Sequence, residues 1–70
     1  MTDRPAIIDA TLARLNTEDI DTAVSWVWFF GSTHDERDSV DHWLIESGHP
    51  LAMQPGTQTD RFRCLLKELK

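Results

Sequence analysis

The chain has 70 residues, with seven Lys and Arg against twelve Asp and Glu, a net charge of −5 and a hydrophobic content of 40%. This is the make-up of one small folded domain, and it excludes a low-complexity tract and a binder of nucleic-acid phosphates through bulk charge. No apolar run approaches a membrane span or marks a secretory leader, and the single cysteine cannot close an internal disulfide. The expectation is a reduced, cytoplasmic protein forming a single helical domain over residues 1–70, with no membrane partner.

Turn signals divide the chain into four segments, each of which reads as a helix. The first runs from about Arg4 to Leu15, with Asp3 as its cap and Pro5 in the first turn, where a missing N–H costs nothing. Ile8, Leu12 and Leu15 recur at helical spacing, with Ile7 and Thr11 at the margin, while Asp9, Ala10 and Ala13 face outward. The second runs from about Glu18 to Phe30, with Thr17 as the cap, acids at the positive end of the helix dipole and Gly31 as the terminator. Strand is its competitor, since Val24–Phe30 has high β propensity, but its apolar residues do not alternate and no second strand lies nearby to pair with it.

The third helix runs from about His34 to Ser47, opened by a Thr33/Glu36 capping box and closed by Gly48 with Pro50 beyond. Val40, Trp43, Leu44 and Ser47 form its narrow face. A loop from His49 to Thr59 follows, with a turn at Pro55-Gly56, and Leu51 and Met53 are expected to tuck it against the bundle. The fourth helix runs from about Asp60 to Leu69, capped by Thr59 or Thr57, with Phe62, Leu65, Leu66 and Leu69 as the clearest amphipathic stripe in the chain. The fold class is therefore all-α, a small bundle of about four short helices. A domain this small is marginal alone, so self-association, most simply a homodimer, is expected.

Two features break the pattern. On an α-helical wheel Ile20, Ala23, Val24, Val27 and Phe30 form a core face, Trp26 and Trp28 lie on its flanks, and Phe29 falls opposite. A helix apolar nearly all round calls for burial nearly all round, which three short neighbours hardly supply. Trp26 and Phe29 are therefore candidate partner-binding residues, the competing role being to close the edges of the core. The second feature is charge: residues 17–47 hold eight acids and one base, Arg37, whereas the last eleven residues hold two acids and four bases. Asp35, Asp38, His42 and Glu46 share one face of the third helix, with His34 and Asp41 at its edge. Asp35, Asp38 and Glu46 join the candidate site as a docking surface for a basic or nucleic-acid-handling protein; the alternative is a solvated acidic face balanced by the basic last helix.

Chemistry-bearing motifs are sparse. His34, Asp38 and His42 stand at i, i+4 and i+8, which carries the third ligand well round the helix from the first, so no metal site is expected. Cys64 lies opposite the apolar stripe of the last helix, with no His spaced for a dyad. Asp38-Ser39-Val40 resembles the Asp-Ser-Leu element of acyl carrier proteins, which implies a phosphopantetheine arm on Ser39. The chain departs from that family in starting the helix five or six residues before Ser39 and in leaving only nine from there to Gly48. No cofactor and no enzymatic activity are expected. The expected function is that of a small acidic protein-binding module, an inhibitor or regulator of a larger protein machine. In size and composition the chain resembles the small inhibitors of phages and mobile elements, anti-CRISPR and anti-restriction proteins among them. A homodimeric structural or assembly adaptor is the alternative, and a carrier protein modified at Ser39 the remote one.

Overall fold

The computed structural model describes residues 3–70, and among these it holds helices and no strand. α1 spans Ala6–Arg14 and α2 Ile20–Val24; a π-helical segment, Ser25–Phe30, continues α2 directly. α3 spans His34–Glu46, a 3-10 turn Pro50–Met53, and α4 Gln58–Leu69. The all-α bundle expected from the sequence is what forms. Its radius of gyration of 11.2 Å equals the value of about 11 Å for a compact domain of this length.

Local chemistry sets the helix ends. Thr33 Oγ1 accepts the Glu36 amide at 3.2 Å while Glu36 Oε1 accepts the Thr33 amide at 3.1 Å, the reciprocal box read from the sequence. Thr57 and Asp60 build a second box on α4, so Thr57 is the cap, and Thr59 is the second residue of the helix, with its hydroxyl available to another partner. α3 ends in a Schellman motif: the His49 amide reaches the Leu44 carbonyl at 2.9 Å and the Gly48 amide reaches Ile45 at 3.1 Å. Gly48 holds the left-handed φ of 66° that this motif requires and that a Cβ would strain.

Several caps fall elsewhere than expected. Asp3 does not cap α1; Pro5 occupies the cap position with no side-chain bond, and the helix begins at Ala6. Thr17 does not cap α2, because residues 15–17 form a turn and Asp19 Oδ1 takes the role, accepting the Thr22 amide at 2.8 Å. Gly31 ends the π-helical segment with φ −101°, not in a left-handed conformation. The loop after α3 is ordered by His49, whose Nδ1 accepts the Leu51 amide at 3.1 Å and caps the 3-10 turn. Leu51 is thereby buried, but Met53 points into water and does not tuck the loop down.

The core comprises Ile7, Ile8, Leu15, Ala23, Val24, Trp28, Val40, Leu44, Leu51, Phe62, Leu65 and Leu66. Trp43 packs against it half-buried, and Ser47 is exposed, so the inner face of α3 is narrower than read from the sequence. Thr11, placed at the margin of α1, is fully buried and satisfies its hydroxyl by donating to the Ile7 carbonyl at 2.7 Å. Trp28, the largest buried side chain, stacks on Phe62 with centroids 4.2 Å apart and planes at 23°. Its indole N–H donates to Thr59 Oγ1 at 3.1 Å, which settles the one polar atom of the ring.

Candidate protein-binding surface

The site begins with the backbone of residues 25–30. An α-helix turns about 100° per residue, which would lay Phe30 over Val27 and Ala23 in the core. A π-helix bonds five residues back and turns less per residue, so the inner face lags. By the end of the segment Trp28 has come over Val24 and Phe30 over Trp26. This reverses two placements made on an α wheel. Trp28 leaves the flank and is only 2% exposed, while Phe30 leaves the core and is 78% exposed.

The bundle fastens this register from three sides. Trp28 is gripped by Phe62 and Thr59 of α4. The Trp28 carbonyl, near the end of the segment, accepts the Arg37 guanidinium at 3.0 Å and the Ser32 hydroxyl. Arg37 also donates to the Ser32 carbonyl at 3.3 Å, placing a cation at the negative end of the helix. Gly31 closes the last turn so tightly that a Cβ there would stand 2.9 Å from the Trp26 carbonyl oxygen.

As a result three rings of one segment face water: Trp26 at 54%, Phe29 at 55% and Phe30 at 78% exposure. Trp26 and Phe30 touch, with centroids 5.7 Å apart and planes at 47°. At about 150–250 Å² per aromatic side chain, these exposures sum to roughly 300–450 Å² of aromatic surface. That equals the largest apolar patch of an ordinary monomer, a size often associated with function.

The acids of α3 are less unified than the sequence suggests. Asp35 stands exposed in the first turn, three residues of connection and one of helix beyond Phe30. Asp38 is half-buried and turned toward α4: its Oδ1 accepts Gln58 Nε2 at 2.7 Å, and its other oxygen lies 3.4 Å from His34 Nε2. Asp41 makes a two-pronged pair with Arg61 at 3.0 and 3.1 Å. Arg63 Nη1 reaches Asp21 at 2.9 Å, so the basic last helix neutralises acids of both α2 and α3. Glu46 is exposed at the far end of α3, about 16 Å along the axis from Asp35 at 1.5 Å per residue. Trp26 and Phe30 form one patch, with Phe29 exposed between them in the chain; the three candidate acids do not form another, and Asp35 alone follows the rings closely in the chain.

The sequence missed Phe30 and Arg37. Phe30 was hidden by the assumption of α geometry. Arg37 carried a signal, as the lone base among eight acids, consistent with a specific internal role.

Other reactive side chains are engaged in the fold. Ser39 Oγ donates to the Glu36 carbonyl at 2.6 Å in the body of α3. Cys64 is half-buried against the core. His49 Nε2 lies 3.2 Å from Glu68, and since Nδ1 accepts a backbone amide, the network assigns the proton to Nε2. Asp19 has its carboxyl pKa held below the ordinary 3.8, chiefly by hydrogen bonds from Thr22. Among the described residues no group of three His, Cys, Asp or Glu is placed to hold a metal ion, and the surface has no ligand-sized pocket. No helix among them is long and apolar enough to cross a membrane. Comparison with protein-family models, curated proteins and solved structures finds no match to this chain.

Proposed function

We propose that the protein is a non-enzymatic protein-binding module that docks through Trp26, Phe29 and Phe30. One observation carries the reading. An α-helical continuation of α2 would bury Phe30, yet the chain adopts the rarer π geometry and leaves three rings of one short segment in water, Trp26 and Phe30 in contact. π-Helical turns concentrate at functional sites, and exposed aromatics are the residues that anchor interfaces. The more specific form of the reading is an inhibitor or regulator of a larger protein machine, for which the small size and net charge of −5 are the support. A homodimeric adaptor would use the same patch.

A photo-crosslinking amino acid in place of Phe29, in cells that make the protein, should trap one discrete adduct. The same group in place of Ala10, exposed on α1, should trap none. Equal and diffuse labelling from both positions would remove the reading.

A further inference from the structure

We infer that the occupant of the aromatic face is a cationic protein surface, an apolar socket rimmed by Lys and Arg, and not a second copy of this chain. The inference rests on the docking role proposed above and adds the chemistry of the partner.

Charge is the first argument. Between Arg14 and Arg37 the chain carries the three rings, five acids and no Lys or Arg. Glu18 and Asp21 are paired, to Arg14 at 2.7 Å and to Arg63 at 2.9 Å. Asp19, which caps the start of α2, and Asp35 and Glu36, in the first turn of α3 after the rings, leave negative charge at both ends of the α2–π segment. Arg37 follows, but its guanidinium is half-buried against the Trp28 and Ser32 carbonyls.

Area is the second. A stable association covers about 800 Å² per partner, and the rings supply roughly half of that. The surface around them must supply the rest. In a two-fold symmetric dimer each patch faces its own copy, so the acidic ends would meet one another. Like charges brought together across an interface oppose association, whereas a basic rim turns the same charges into attraction and steering. Trp26 adds a ring of the type that best receives a Lys or Arg cation on its face.

The test uses the full chain and two helical peptides with the same apolar positions, one carrying Lys and Arg at the polar positions and the other Glu. Amide shift mapping should show the cationic peptide perturbing residues 26–30 and Asp35, with the anionic peptide silent. Affinity should fall about tenfold in roughly 0.5 M NaCl, where screening is nearly complete. Phe30→Ser, shown folded by circular dichroism, should cost about tenfold through faster dissociation. Asp35→Lys should instead slow association. Equal binding of the two peptides would overturn the inference and keep the docking face. So would sedimentation equilibrium showing a dimer that Phe30→Ser converts to monomer, since the occupant is then a second copy. A chain that stays monomeric and binds neither peptide would overturn both the inference and the docking role.

Discussion

α4 and the α2–π segment are nearly equal in length, twelve residues against eleven, and they use their apolar side chains in opposite ways. α4 sends Phe62, Leu65 and Leu66 into the core and keeps a charged outer face that pairs with neighbouring helices. The α2–π segment sends in Ala23, Val24 and Trp28, then exposes Trp26, Phe29 and Phe30. Burial accounts for the apolar residues of α4 save Leu69 in its last turn, which is exposed. It does not account for the other segment, whose surplus of aromatic surface is held outward by a special backbone, a glycine, an arginine and a stacked tryptophan. One helix is built for folding; the other is built for folding on one side and contact on the other.

The comparison breaks most completely at Trp28, the ring that fixes the π register. Trp28→Ala removes the stack on Phe62 and the bond to Thr59, and should cost about 3–5 kcal/mol, enough to abolish cooperative urea unfolding in a domain this small. Trp28→Phe keeps the stack and should retain a transition at lower urea. Arg37→Met comes next. It strips hydrogen bonds from the Trp28 and Ser32 carbonyls and should cost about 1.5–3 kcal/mol by the same measurement. Gly31→Ala presses a Cβ against the Trp26 carbonyl at 2.9 Å, and about 1–3 kcal/mol of overpacking follows. If Gly31→Ala instead unfolds like wild type, the last turn is not as tight as argued and Phe30 is free to rotate inward.

α4 was legible because its pattern is periodic at the ordinary α repeat and its cap is a local box. The same holds for α3, where Thr33, Glu36 and Gly48 are short-range signals that no tertiary contact overrides. The α2–π segment was legible as a helix and as an anomaly, and Trp26 and Phe29 stand in water as its excess of aromatics suggested. Its register was not legible. Whether Trp28 or Phe30 turns inward depends on Thr59 and Phe62, some thirty residues away, and on a change of hydrogen-bond span that a wheel with one fixed angle cannot contain. The specific partners of Asp38 and Asp41 were not legible for a related reason: Gln58 and Arg61 lie on a different helix, although a balance of the acidic face by the basic last helix was one of the two readings.

A smaller effect sharpens the comparison at the start of α2. Asp19 has a folded pKa below its ordinary 3.8 because its carboxylate accepts the Thr22 hydrogen bonds. A group depressed in the folded state contributes stability above its unfolded pKa and loses it as pH falls through the folded value. Stability of the wild type should therefore decline below about pH 4 more steeply than that of Asp19→Asn, whose amide caps the helix without titrating. Parallel acid curves for the two proteins would show that the cap contributes nothing through its charge.

The smallest expected change in stability is the most informative, and it falls on Phe30. If the ring served the core, as an α-helical reading requires, Phe30→Ser would cost about 3–5 kcal/mol as a buried aromatic truncation does. With the ring 78% exposed, the loss should be within about 0.5 kcal/mol, the range of an ordinary surface substitution. Trp26 provides an internal reporter, because its contact with Phe30 at 5.7 Å disappears while its own exposure rises. A small red shift of tryptophan emission with an unchanged urea midpoint is the expected pair of results. A fall in the midpoint approaching that of Trp28→Ala would mean that Phe30 contributes to folding, and the aromatic face would lose the residue that most distinguishes it from an ordinary helix edge.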